Sequence, residues 1–262
     1  LSRSLPLLML AVVIFFGCDM QNNFIYFPDT VKPSEKSFAL QGLKFWHRSG
    51  DDYRGLIGTG EMKAVRGTVI VFHGNAGKAS DREFYVKLLE PLGYRVVLAE
   101  YPGYGGRRGT LGEKAFVSDA SETLRFAAEE FGSPVYLFGE SLGCGVAAAV
   151  ASAVPGAVDG IVLITPWDSL SSVARSKVPT FLVKLLLKDR YDSVVNLRSF
   201  KKRIAVVAAE RDDIIPVRHA EALYVSLPGE KRMWTIKDAG HNNWPMFMDA
   251  ARFREIMDFV SK

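Results

Sequence analysis

Cysteine is almost missing from this chain: Cys18 and Cys144 are the two present in 262 residues. A disulfide framework or a thiolate metal cluster needs more, so the fold must hold together by packing. Histidine is also scarce, at four. Neither an H-E-x-x-H run nor a clustered Cys/His spacing occurs, and the expectation is a protein with no metal and no cofactor. A surplus of one charge is lacking too, with 33 Lys and Arg against 29 Asp and Glu and a net charge of +4. The longest basic clusters, Arg107-Arg108 and Lys201-Lys202-Arg203, are too short and scattered for a phosphate track, so nucleic acid is not an expected partner. The 23 glycines and 12 prolines follow no fixed period, which excludes collagen and solenoid repeats. Gly77-Lys78 does not make a nucleotide-binding loop, because Phe72 stands where the earlier glycine is required and Ala79 where a hydroxyl is. At 48% hydrophobic residues, the chain can bury the core of one large α/β domain.

A long membrane-crossing run is absent as well. Residues 5–16 form twelve apolar positions after a single charge, Arg3, too short for the hydrocarbon layer and suited to the hydrophobic region of a signal peptide. The run ends at Gly17-Cys18, a small residue before a cysteine, which resembles a bacterial lipoprotein signal. Phe15 and Phe16 depart from that pattern, which prefers an aliphatic and then a small residue. The resemblance implies removal of residues 1–17, acylation of Cys18, and export to the periplasmic or extracellular side of a membrane surface. A lipidated Cys18 would leave no intramolecular disulfide.

The remaining residues, 18–262, alternate between strand and helix patterns. Residues 21–66 read as an entry segment with short strands near 39–47 and 52–57 around a Ser49-Gly50-Asp51 turn. Residues 68–72 are a continuous β-branched run, as expected of a strand covered on both faces. Ser80 to Glu83 has capping-box spacing before the apolar face Phe84, Tyr85, Leu88, Leu89 and Leu92. Residues 95–99 predict the next strand. After it Thr110 to Glu113 predicts a cap for a helix with face Phe116, Ala120, Leu124, Ala127 and Phe131. Further strands are expected at 135–138, 160–165, 204–208 and 233–236, and a closing helix along Phe247, Ala250, Phe253, Met257 and Val260. This alternation predicts a mostly parallel sheet with helices on both faces and ligand sites at the carboxyl ends of its strands. Residues 167–200 interrupt the alternation as a small cap, whose Phe181, Leu182, Leu185 and Leu186 suit either an acyl pocket or the core.

The chemistry gathers at those strand ends. Gly139-Glu140-Ser141-Leu142-Gly143 lies between a buried strand and a helix of small residues, where glycines permit a sharp turn that exposes a serine hydroxyl. A serine hydroxyl needs a base in hydrogen-bond reach, itself oriented by a third group. His47 falls in the entry segment, His73 in a turn, and His219 on an expected helix facing solvent. His241, in the loop between the last strand and the last helix, is the candidate base. Asp212, the first acid after Arg211, is the candidate partner, with Asp213 and then Asp168 as alternatives. The order Ser141, Asp212, His241 is that of the α/β-hydrolases. The backbone amides of Asn75, in His73-Gly74-Asn75, and of Leu142 are the candidate oxyanion donors, a plain tight turn being the alternative for the first. Glu140 is read as structural, and Cys144 as a small core residue.

Several of these motifs together resemble one family. They are Ile25-Tyr26-Phe27-Pro28, His73-Gly74-Asn75-Ala76-Gly77, Tyr101-Pro102-Gly103-Tyr104-Gly105, the Gly139 to Gly143 turn, Asp212 with Pro216, and Gly240-His241. From about Phe24 onward the chain is similar to the ABHD-type α/β-hydrolases of bacteria and eukaryotes, a group close to serine-aminopeptidase-like and acylglycerol-lipase-like enzymes. The resemblance implies a serine hydrolase using Ser141, Asp212 and His241 on small-molecule esters, thioesters or amides, with peptidase activity the less expected. It does not fix the acyl group. One departure is Ala209, where relatives often carry glycine. The rival expectation is a silent hydrolase fold kept as a binding or scaffolding lipoprotein.

Overall fold

The computed structural model describes residues 21–46, 52–62 and 64–262. Cys18, His47 and the Ser49-Gly50-Asp51 turn lie outside them. Strand β1 (Phe27–Pro28) is followed by the helix Glu35–Ala39, β2 (Leu43–Trp46), β3 (Gly55–Gly58), β4 (Gly67–Phe72) and β5 (Ala76–Gly77). Then come β6 (Tyr94–Ala99), β7 (Val135–Glu140), β8 (Gly160–Ile164), β9 (Arg203–Ala209) and β10 (Lys231–Ile236). Eight of these form one sheet in the order β10-β9-β8-β7-β4-β6-β3-β2, while β1 and β5 pair separately. β4 and β6 to β10 run parallel, and β3 and β2 complete one side antiparallel. This is the α/β-hydrolase fold. The chain steps from β4 to β6 on one side and later to β7 on the other, so the carboxyl end of β4 is a topological switch point, where such sheets open a crevice.

The lack of polar alternation in residues 68–72 has its cause in two cores, one on each face of the sheet. Ile70 and Phe72 pack with Phe116 and Leu124 of the Glu113–Phe131 helix and with Val146 and Val150 of the Leu142–Ala153 helix. Val69 and Val71 face the other way, toward Tyr85 and Leu89 of the Phe84–Leu89 helix and Phe253 and Met257 of the Ala250–Val260 helix. Every β4 residue is therefore buried. Each large apolar side chain removed from water in this way contributes roughly 1.5 to 3 kcal/mol.

Local expectations fail where a tertiary partner takes the group that a cap would have used. Thr110 does not cap the Glu113–Phe131 helix; its N-cap is Gly112, with no side-chain bond. Glu113 instead turns its carboxylate to the backbone N–H groups of Arg190 and Tyr191, at 2.6 and 3.0 Å. The Ser80 to Glu83 box is likewise replaced: a 3-10 turn spans Ala79–Arg82, and the Asp81 carboxylate accepts the Lys78 N–H at 3.0 Å. In the entry segment the strands are shifted and shortened to β2 and β3, with a helix over Glu35–Ala39. The closing helix begins after a 3-10 turn at Trp244–Phe247, so Phe247 lies outside it, half exposed, and the exposed Ala250 is replaced on its buried face by Ile256.

Candidate active site

Ser141 sits on the turn from β7 into the Leu142–Ala153 helix with φ of 49° and ψ of −111°, a left-handed backbone that L residues rarely adopt. Two glycines make that turn possible by removing bulk. A Cβ on Gly143 would lie 2.0 Å from the Phe72 carbonyl oxygen, and one on Gly139 would lie 2.5 Å from that of Gly143. The helix thus presses on β4, and the Ser141 N–H donates to the Ile164 carbonyl at 2.9 Å, pinning the turn to β8. Gly143→Ala is expected to cost about 4 kcal/mol or more, because backbone rather than a flexible side chain blocks the methyl group. Urea melts would check this, and a variant within about 1 kcal/mol of the parent would contradict it.

The His241 loop lies beside this turn. His241 Nε2 is 2.9 Å from Ser141 Oγ, and His241 Nδ1 is 2.7 Å from Asp212 Oδ2. Asp212 Oδ1 in turn accepts the N–H groups of Ile214 and Ile215 at 3.0 and 2.7 Å. Both Asp212 and His241 are buried. A carboxylate held by three hydrogen bonds cannot swing away, so it keeps Nδ1 protonated and leaves Nε2 free to accept the serine proton. Asp213 is exposed and takes no part. Asp168 belongs elsewhere: its Oδ1 is 2.9 Å from Nδ1 of His219. That pairing also corrects the expectation for His219, which is buried rather than solvated.

The loop after β4 carries Asn75 to the same place. Its side-chain amide donates to the Ile25 carbonyl at 2.7 Å, and its own carbonyl accepts Phe27 N–H at 2.8 Å and the Tyr104 hydroxyl at 2.7 Å. The N–H groups of Asn75 and Leu142 have no intramolecular acceptor among the described residues. His73 underlies this loop: its Nδ1 is 2.7 Å from the Gly74 carbonyl and its Nε2 is 3.0 Å from buried Glu100. The second Glu100 oxygen accepts Ala79 N–H at 2.9 Å.

Two cavities meet at Ser141, Asn75, Ala76, His241 and Asn242. One, of about 270 Å³, has mainly polar walls that include Arg82, Glu140 and Thr165. The other, of about 450 Å³, is mainly apolar, with Ile25, Trp167, Leu170, Val173 and Ile215. None of Phe181, Leu182, Leu185 and Leu186 lines either one, and Phe181 and Leu185 point outward, 68% and 65% exposed. The reason is that the Thr180–Leu186 helix buries Val183 instead. Sequence reasoning also missed Glu100 and Arg82. Glu100 directly follows the buried apolar run Val96 to Ala99, a legible signal for a buried acid; nothing local marked Arg82. Glu140 is structural, receiving Arg82 Nε at 2.6 Å and the Tyr85 hydroxyl at 2.7 Å. Cys144 is buried, with its thiol pushed well above the usual range by that burial.

The serine aminopeptidase S33 family model matches residues 63–198, just over half of the chain. The chain belongs to this family of hydrolases. An uncharacterized protein of Mycobacterium tuberculosis is 31% identical to it over 99% of this chain and 94% of that one. The lysophosphatidylserine lipase ABHD12 of Danio rerio is 28% identical over 60% of this chain and 46% of its own. Among solved structures, a Pyrococcus furiosus esterase superposes with a TM-score of 0.70 at 18% identity, covering 91% of this chain and 99% of that one. A monoacylglycerol lipase of Paleococcus ferrophilus gives 0.55 at 24% identity, with 76% and 96% covered. The family membership and the shared fold make the protein an α/β-fold hydrolase.

Proposed function

We propose that this hydrolase is a serine enzyme that cleaves carboxylic esters or thioesters, and amides less readily, through an acyl-enzyme on Ser141. The observation that carries the reading is the unbroken hydrogen-bond chain Ser141–His241–Asp212 at the junction of two cavities. His241 Nε2 takes the hydroxyl proton as Ser141 Oγ attacks the carbonyl carbon, and the Asp212 carboxylate stabilises the imidazolium. The oxyanion is received by the Asn75 and Leu142 N–H groups, whose lack of an internal acceptor supports this role. His241 then returns the proton to the leaving oxygen, sulfur or nitrogen. Water, deprotonated by the same imidazole, attacks the acyl-enzyme and frees the acid.

The two cavities favour a single-chain acyl ester of a small polar alcohol, with the chain along Trp167, Leu170 and Val173 and the alcohol toward Arg82 and Thr165. The names of the Danio rerio lysophosphatidylserine lipase and the Paleococcus ferrophilus monoacylglycerol lipase agree with that class. Attachment to a membrane surface through an acylated Cys18 belongs to the same proposal and rests on the pattern of residues 5–18. The test is covalent labelling of the purified full chain by a fluorophosphonate, with the modified residue located by mass spectrometry. Ser141 is the expected adduct. No labelling would overturn the serine mechanism and favour the scaffold reading.

A further inference from the structure

Three exposed apolar side chains that line neither cavity stand close together in one short segment, residues 178–185. Phe181 and Leu185, one helical turn apart, project from the Thr180–Leu186 helix, and Val178 precedes them at 43% exposure. This helix packs against Leu170–Arg175, which supplies Leu170 and Val173 to the wall of the apolar cavity. Phe24 and Phe27, 77% and 51% exposed, line the same apolar cavity. A monomer seldom leaves such large groups together in water without a partner for them.

Charge selects the partner. Residues 169–188 contain Arg175, Lys177, Lys184 and Lys188 and no acid; Asp213, on the loop of Ile214, is an exposed acid beside the rim. Cations interleaved with outward Phe, Leu and Val are the composition of segments that lie in an anionic lipid interface. A second copy of this chain fits worse, because a two-fold contact through this face would bring Lys177 and Lys184 of both copies together. Gln21 is fastened beside this segment, its Oε1 accepting the Lys188 and Asp189 N–H groups at 2.7 and 3.2 Å.

We infer that residues 169–188, with Phe24 and Phe27, form a docking face for an anionic bilayer that sets the mouth of the Ser141 cavity against the lipid. The face rests on exposure and charge and needs no lipidation at Cys18. Its use, delivery of acyl substrates from the membrane, rests on the hydrolase reading above. Hydrogen exchange of the full chain tests it, with vesicles of phosphatidylcholine alone or mixed with phosphatidylglycerol. Protection of residues 170–188 is expected on the mixed vesicles, reduced by salt, abolished in F181S/L185S, and weakened about fivefold per charge in R175Q/K184Q. F181S/L185S should keep its thermal melt and its turnover of a soluble aryl ester, since neither side chain lines a cavity. Equal protection on both vesicle types would overturn the anionic surface as the occupant. Protection that grows with protein concentration without vesicles would assign the face to a second copy. No protection in this segment while the protein sediments with vesicles would overturn docking altogether. Catalysis does not enter this readout, so docking and the serine mechanism fail separately.

Discussion

Ser141→Ala is expected to lower kcat/KM by about 10⁶ while the protein melts within about 0.5 kcal/mol of the parent. The asymmetry follows from what the hydroxyl touches. Ser141 Oγ makes one hydrogen bond, to His241, and stands at the cavity junction rather than in the core. Removing it takes the proposed attacking atom and little else. Ser141→Gly makes the comparison sharper. At φ of 49° a residue with a side chain holds strain of about 1 to 3 kcal/mol, and glycine adopts that backbone freely. The freedom glycine gains in the unfolded chain offsets about 0.4 to 1 kcal/mol, so this variant should be as dead as the alanine and melt at or above the parent. Aryl-ester kinetics and thermal melts check both. Turnover above about a hundredth of the parent in either variant would remove Ser141 from the mechanism.

Asp212→Asn should cost about 10⁴ in kcat/KM with the fold intact. An asparagine can still accept from Ile214 and Ile215, so the loop keeps its shape. Its amide N–H₂, however, faces His241 Nδ1, which must then become the acceptor. The imidazole proton moves to Nε2, pointing at the serine it is supposed to deprotonate. Asp213→Asn should change kcat/KM less than about twofold, being exposed and outside the chain of hydrogen bonds. Equal losses in the two variants, measured beside circular dichroism spectra, would return the assignment of the acid to the alternatives left open by the sequence.

What was legible in the sequence was whatever a contiguous stretch of chain fixes. The run 68–72 marked β4 because burial on both faces leaves no polar position, and the Gly139 to Gly143 turn showed itself through glycines that only close backbone approach requires. Ser141, Asp212 and His241 could be chosen because each stands just past a strand end. The misreadings have the opposite character. Glu113 has capping spacing from Thr110, yet its carboxylate answers two amides 77 and 78 positions away. His219 looked like a surface residue and is buried through Asp168, 51 positions earlier. Phe181 and Leu185 have the composition of a pocket wall, but which face of a short helix turns inward depends on its neighbours, and Val183 took that place. Local chemistry is written locally; a side chain's destination is written by the whole fold.

Glu100 shows what this means for anyone moving the site elsewhere. Its two oxygens hold His73 and Ala79 on the neighbouring loop, and the Tyr101 hydroxyl beside it holds the His73 carbonyl. Residues 73–79 therefore do not own their shape. Grafted into another scaffold without an acid at the end of the adjoining strand, the same seven letters would arrive as a different curve, and a designer copying the motif would transplant its spelling and leave its form behind.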